Sequence, residues 1–509
     1  MSAFKKLAGD TALYGISTIA ARSINFLLAP IQTYAFKQGE VLSSNVTLYA
    51  WIGVLLTVYT LGLDTAFFRF AARNKGVENA AERQRIFNRT FTIVGCISLL
   101  ATALILIFAT PITIALDYPG EERFVRWTAI LVGIDAIMGL PFARLRVEGK
   151  AKKFVAAKLI NIGLNVALNL FFITFCKGII EGRFLPELLP FASFFYRPEI
   201  GPGYILLANL LANALYFLIL RQAFAGFRPT FSWEVAKPLL IYAFPIMLTG
   251  LAGTLNSLTD RLFLREFLPD NFYPGHNAKW ALGIYGQCFK LSVFISLAIQ
   301  SFKFAAEPFF FGQADDKNAP DLLARVTKWF IIVCVVLWVA VSLNMDLAGL
   351  FLAPPYRVGL GVVPLLMLGN LFLGIYYNIS FWFKLSDKTK FGTLIAAVGL
   401  VVTFGLNYLL IPQMGYMGCA WAFLISSIVM TVLCYVLGEK YYPVPYDLVS
   451  AAGYILGGGL LIYAASFIQI NNLWLSVPYH LALLTLFVGC MLAIEWRTFA
   501  PLWTRLRRS

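Results

Sequence analysis

Residues 392–411 read GTLIAAVGLVVTFGLNYLLI. These twenty residues carry no charge, and that length is what an α-helix needs to cross the hydrocarbon core of a bilayer. Lys388 and Lys390 precede the run, and Pro412 follows it. Outward from it, in both directions, the chain repeats the pattern of long apolar runs separated by short polar connections. The pattern predicts a helical protein that spans a membrane many times.

The composition agrees with this prediction. Of 509 residues, 59% are hydrophobic and 13% are charged, about half the charge of a soluble domain. We predict about 14 transmembrane helices, at residues 11–36, 46–70, 86–110, 124–145, 154–175, 203–220, 238–259, 281–302, 329–351, 360–383, 392–411, 415–437, 448–470 and 478–496. These spans leave roughly 15 residues per connection, which is too few for a soluble catalytic domain.

The basic residues predict the orientation. Every second connection is rich in Lys and Arg, including the one after the fourth span, which holds Lys150, Lys152, Lys153 and Lys158. Counted this way, about 29 basic residues lie on one side and about 10 on the other, which places both termini in the cytoplasm. The net charge of +15 therefore reflects the loops of a multi-pass protein and gives no reason to expect nucleic acid as a partner.

An internal repeat divides the chain. The second span closes with FRFAAR at residues 68–73, and the eighth closes with FKFAAE at residues 302–307. Six helices separate the copies, so they share one orientation. We predict two six-helix lobes related by a pseudo-twofold axis along the membrane normal, plus two C-terminal helices, with bounds 1–233, 234–445 and 446–509. Chance similarity between apolar sequences is the alternative.

Cations within the spans are candidates for substrate binding. A charge at a helix centre costs roughly 2.5–3.5 kcal/mol, so a central charge needs a reason. Arg22, with Asn25 on the same helix face, and Lys290 lie near span centres, which favours a cationic cavity for an anionic substrate. Arg69 and Lys303 lie nearer the cytoplasmic ends, where reaching for lipid headgroups is the alternative.

Two acidic residues lie within spans as well. Asp64 belongs to the second span and Asp135 to the middle of the fourth. Each either pairs with a neighbouring cation or serves as an ion or proton site, and the residues leave both interpretations open.

Other motifs narrow the function. The seven cysteines are scattered singly, and both histidines lie outside or at the edge of spans. The sequence holds neither the GxxxxGK[ST] nucleotide-binding loop nor HExxH. We therefore expect no catalytic residues, no metal and no cofactor, and a protein that is not an enzyme.

Two segments near the amino terminus carry a family resemblance. KKLAG at 5–9 with ALYG at 12–15, and LGLDTAFFRF at 61–70, resemble the amino-terminal region of bacterial polysaccharide-biosynthesis flippases of the O-antigen type. These belong to the multidrug/oligosaccharidyl-lipid/polysaccharide exporter superfamily. The fourteen-helix plan and the repeat extend the likeness over the whole chain.

The resemblance implies a translocase of the bacterial inner membrane that moves a polyprenyl-pyrophosphate-linked oligosaccharide to the outer leaflet. It implies that Arg22, Arg69, Lys290 and Lys303 meet the pyrophosphate and that Asn25 contacts sugar hydroxyls. Asp64 or Asp135 would couple transport to an ion or proton gradient. The last two helices would help to form a groove for the polyprenyl tail, and a polysaccharide polymerase or ligase would be the protein partner.

Two related functions stay open. One is the flippase of the peptidoglycan precursor, lipid II, which shares fourteen helices and basic cavity residues. The other is a cation-coupled multidrug exporter of the same superfamily, against which the basic interior and the extra helix pair at 448–496 speak. The sequence names neither the sugar nor the polymer pathway.

Overall fold

The protein is an all-α membrane protein, and its computed structural model describes residues 15, 19–20, 23, 26–73, 80–312, 318–386, 388, 390–468, 470 and 472–506. Residues 26–35 are helical. The principal helices that follow are α1 Gly39–Thr60, α2 Leu63–Arg73, α3 Ala80–Ile107, α4 Ala109–Ala115, α5 Glu122–Val147, α6 Ala151–Ile180, α7 Leu189–Phe195, α8 Gly203–Ala214, α9 Trp233–Phe267, α10 Ala278–Leu291, α11 Val293–Gly312, α12 Ala319–Leu343, α13 Val362–Ile379, α14 Phe381–Leu385, α15 Lys390–Met414, α16 Tyr416–Tyr441, α17 Leu448–Ser466 and α18 Leu473–Leu506.

The helices agree with the predicted spans for most of the chain. Among the described residues, eleven helices are long and apolar enough to cross a membrane, and the bent pair α10–α11 makes a twelfth if it is one span. A shorter apolar helix, Gly203–Ile219, matches the predicted sixth span. In the predicted first span, 11–36, residues 11–14, 16–18, 21–22 and 24–25 lie outside the described residues, and residues 26–35 are helical.

Two predicted spans are broken rather than continuous. The prediction of one helix over 46–70 is wrong, because the chain leaves helical geometry between α1 and α2. Leu61 has φ 47° and Gly62 has φ 70°, the left-handed region that favours glycine. The eighth span bends by 43° at Ser292, between α10 and α11.

The described residues fall into two compact units. The first lies within Met1–Gln287 and Ala396–Ala422, and the second within Cys288–Ile395 and Phe423–Ser509. The unit boundaries cut through α10, α15 and α16. The lobe boundaries at 233 and 445 stay a prediction.

In the first unit, α5 forms the centre of the packing. Two thirds of its most apolar stretch is buried, against about a tenth for α18 in the second unit. Leu131, Val132 and Ala136 of α5 pack in one cluster with Leu48 of α1 and Leu206 of α8. This packing holds the polar side chains of α5, α6 and α8 within the membrane-spanning part of the unit.

Candidate functional site

A ladder of asparagines runs along α6 and α8, which pack beside α5. On α6 the asparagines are Asn161, Asn165 and Asn169, four residues apart, so the helical repeat places them on one face. On α8, Asn209 and Asn213 have the same spacing. Hydrocarbon offers no water to solvate an amide, and these amides bond to one another instead.

Asp135 of α5 ends the ladder. Nδ2 of Asn213 donates to Oδ1 of Asp135 at 2.6 Å, and Nδ2 of Asn161 donates to Oδ1 of Asn213 at 2.8 Å. Lys158 of α6 interacts electrostatically with Asp135, and its ammonium nitrogen lies 4.2 Å from the ring centroid of Phe142. An amide donor and an ammonium thus stabilise the carboxylate in apolar surroundings.

The other end of the ladder holds an unpaired oxygen. Asn209 donates to the hydroxyl of Tyr49 at 3.1 Å, and Nδ2 of Asn169 donates to Oδ1 of Asn165 at 2.7 Å. Asn169 is fully buried, and its Oδ1 has no hydrogen-bond partner among the described residues. The π-helical segment Leu170–Cys176 follows directly, and such segments are frequent at functional sites.

The arrangement has a definite chemical capacity. It places a carboxylate, an ammonium group and a free amide oxygen within the spanning helices of one unit. A carboxylate at this depth changes its partners when it gains or loses a proton or a cation. The asparagine ladder places further polar groups on the same helices as this carboxylate.

Sequence reasoning found Asp135 but not its partners. Lys158, expected among the loop charges, lies two turns into α6 and is half-buried. The asparagines were not predicted as site residues because they carry no charge. The four-residue spacing of Asn161, Asn165 and Asn169 is nevertheless visible in the sequence. That spacing shows a polar helix face but not which helix packs against it.

The remaining predicted residues of the first unit lie elsewhere. Arg22 and Asn25 lie outside the described residues. Asp64 is half-buried in the first turn of α2. Arg69, on the same helix, is exposed, and its guanidinium carbon lies 4.2 Å from the ring centroid of Tyr242 on α9.

Both predicted lysines belong to the second unit. Lys290 is half-buried and is the penultimate residue of α10, directly before the bend. Lys303 is half-buried on α11, with its ammonium nitrogen 5.1 Å from the ring centroid of Tyr377 on α13. The structure therefore places one cation beside a bend and the other against an aromatic ring.

An apolar groove of about 420 Å³ lies in the second unit, between α12, α13, α16 and α17. Its walls include Ile331, Phe372, Ile375, Val432 and Leu456. Lys328, which also borders it, pairs with Asp447 at 2.9 Å and with Glu495 of α18 at 2.5 Å. Hydrogen bonds from Ser450 and Lys328 lower the pKa of Asp447 to about 2, so an ionised carboxylate borders the groove at neutral pH.

Comparison with known proteins identifies the fold. No protein-family model and no curated protein matches the sequence. A solved structure of the lipid II flippase MurJ in an inward closed conformation matches with a TM-score of 0.69 and 13% identity, covering 94% of this chain and 99% of that one. An inward-facing MATE multidrug resistance transporter of the MOP superfamily matches with a TM-score of 0.62 and 14% identity, covering 88% and 96%.

The chain has the fold of these membrane transporters. An outward-facing MATE transporter matches as well, with a TM-score of 0.52, 16% identity and coverage of 91% and 97%. The likeness extends over nearly the whole chain, and at these identities it is a likeness of fold.

Proposed function

We propose that the protein moves a polyprenyl-pyrophosphate-linked oligosaccharide from the cytoplasmic to the outer leaflet by alternating access. The observation that carries the proposal is a half-buried cation, Lys290, beside a bend in a chain with a transporter fold. A pyrophosphate supplies oxygens that bond strongly to ammonium and guanidinium groups. Arg22, Arg69 and Lys303 complete the proposed pyrophosphate set, and Asn25 is assigned to the sugar hydroxyls.

The groove of the second unit suits the lipid part of this substrate. An isoprenoid chain needs an apolar surface, and the groove walls are almost entirely apolar. One wall of the groove is α17. This helix is one of the two to which the family resemblance assigns the polyprenyl tail. The groove supports a lipid-linked substrate over a water-soluble one.

We assign coupling to Asp135, with Asp64 as the second candidate. Asp135 has the features of an intramembrane ion or proton site: a partner of opposite charge, amide neighbours and an unpaired oxygen in the same ladder. Asp64 is half-buried beside the break between α1 and α2.

A lipid II flippase is the second candidate function. The fold match to MurJ has a TM-score of 0.69, above the 0.62 and 0.52 of the MATE transporters named above. A multidrug exporter is a weaker candidate, because the ammonium groups of Lys290 and Lys303 would repel a cationic drug.

We assign the protein to the bacterial inner membrane with both termini in the cytoplasm, in an O-antigen or related polysaccharide pathway. A polysaccharide polymerase or ligase would then receive the product on the outer face.

The test is mass spectrometry of membrane lipids after depletion of the protein. Accumulation of one polyprenyl-pyrophosphate oligosaccharide on the cytoplasmic face supports the proposal and identifies the sugar. Accumulation of the peptidoglycan precursor supports the second candidate instead. A normal lipid pool with raised sensitivity to cationic dyes contradicts both and supports a drug exporter.

A further inference from the structure

The connection between α6 and α8 exposes several large apolar side chains outside the long spanning helices. Residues 181–202 fold into a short 3₁₀ turn, Pro186–Leu188, followed by α7. Phe194 is 80% exposed. Other exposed apolar side chains of the connection are Phe184, Leu185, Leu188, Leu189, Phe191 and Phe195. A contiguous exposed apolar patch of this kind marks a surface that contacts a protein or a membrane.

The patch continues the aromatic surface of a membrane-spanning helix. The ring centroid of Phe171 on α6 lies 6.4 Å from that of Phe191 and 5.5 Å from that of Phe195. Phe175, one turn later on α6, lies 6.3 Å from Phe184. The connection therefore lies along α6 at the end of the span instead of projecting away from it.

Fixed contacts hold α7 in this position. The ring of Tyr196 stacks on that of Tyr204 of α8, with centroids 4.6 Å apart. The hydroxyl of Tyr204 donates to the carbonyl oxygen of Phe195 at 3.1 Å and accepts from the amide nitrogen of Arg197 at 2.7 Å. The buried Ala192 faces the protein side, so the exposed phenylalanines point outward from an anchored helix.

The charges favour lipid over a protein partner. Arg183, paired with Glu181 at 2.6 Å, precedes the apolar stretch, and Arg197 follows it. Between them, Glu187 is the one charged residue. Aromatic side chains between flanking basic residues are typical of segments that lie at the boundary of headgroups and acyl chains.

We propose that residues 184–195 are an interfacial anchor whose phenylalanines insert into the lipid leaflet at the carboxyl-terminal end of α6. The anchor fixes the depth of α6 and α8, which carry the asparagine ladder. The inference rests on the membrane-spanning character of the chain and is independent of which substrate is moved.

The test is the environment of a nitroxide spin label in lipid vesicles. Cys96 and Cys490 are the exposed cysteines and are replaced by Ser, while the other five are buried. Labels are then placed through Phe194→Cys and, in a second variant, Leu189→Cys. Matched controls are Leu460→Cys, exposed on the apolar α17 and outside the groove, and Glu199→Cys, exposed after α7.

Power saturation with oxygen and with a water-soluble nickel chelate gives the result. The full-length protein is reconstituted in vesicles of phosphatidylethanolamine and phosphatidylglycerol. We expect an oxygen-to-nickel accessibility ratio at 194 and 189 that is several-fold above that at 199 and similar to that at 460. A ratio like that at 199 overturns the proposal, because the segment then lies in water. Low accessibility to both reagents also overturns it, because a protein surface then covers the segment.

Discussion

At the scale of single residues, a charged side chain in the apolar bilayer has a high free-energy cost. We therefore expect each such side chain to have a partner of opposite charge or a functional role. A charge at a helix centre costs roughly 2.5–3.5 kcal/mol. A hydrogen bond from the amide of Asn213 and the charge of the Lys158 ammonium group offset this cost for Asp135. Lys290 lies half-buried where α10 ends. In the proposed function the two residues have separate tasks, Asp135 in coupling to the gradient and Lys290 in binding the substrate.

Asp135→Asn tests the coupling assignment. Asn retains an acceptor for Asn213 but carries no charge opposite Lys158, so transport into proteoliposomes should no longer respond to an imposed proton or sodium gradient. The variant should still fold, since the hydrogen bond at 2.6 Å has a substitute acceptor. The double variant Asp135→Asn with Lys158→Gln is the control. If it restores gradient-dependent transport, Asp135 only neutralises Lys158, and the coupling assignment is wrong.

Lys290→Ala tests the anionic substrate. Loss of one hydrogen bond from a charged group costs about 1.5–3 kcal/mol, which is roughly a 10- to 100-fold weaker interaction with the pyrophosphate. We expect transport to fall by this order, with normal amounts of folded protein in the membrane. Lys290→Arg keeps the charge and should retain much of the activity. Wild-type transport by the Ala variant would remove Lys290 from the binding site.

At the scale of helices, α10 approaches α1 closely within the first unit. A Cβ atom at Gly283 would overlap the carbonyl oxygen of Gly39, and one at Gly286 would lie 2.5 Å from Val46. The glycines of α10 thus let the two backbones meet, as small residues do in packed membrane helices. This contact positions the stretch of α10 that leads to Lys290.

Gly283→Ala should therefore destabilise the protein by about 1–3 kcal/mol, the usual cost of overpacking. Gly95→Ala is the matched control, because a Cβ at position 95 of α3 meets no atom within 4 Å. That change should leave stability equal or raise it by roughly 0.5–1 kcal/mol. Thermal unfolding in detergent, followed by tryptophan fluorescence, measures both. Equal melting temperatures for the two variants would contradict the close packing of α10 on α1.

The sequence predicted the helices better than their contacts, for a physical reason. Hydropathy located most spans after the first within a few residues, because a bilayer requires long apolar runs, but it placed the ninth at 329–351, where the helix is Ala319–Leu343. It missed the break at Leu61 and Gly62, because glycine is common in membrane helices and by itself rarely indicates a turn there. Arg144, at the end of the predicted fourth span, bonds to Gln84 at 2.8 Å and to the carbonyl oxygen of Ala223 at 3.0 Å. Such partners lie 60 or more residues away along the chain, so no local pattern reveals them.

At the scale of the whole molecule, the orientation of the protein in the membrane depends on the combined positive charge of many loops. About 29 basic residues on one side against about 10 on the other predict cytoplasmic termini. Alkaline phosphatase inserted after Gly201 should be active, and the same insertion after Glu148 inactive, while a fluorescent protein after Ser509 should fluoresce. Changing Lys150, Lys152 and Lys153 together to Gln removes three charges and still leaves about 26 against about 10, so the pattern should not invert. An inverted pattern in that triple variant would show that one loop sets the orientation. The opposite pattern in the wild-type protein would place the basic loops outside and reverse the proposed direction of transport.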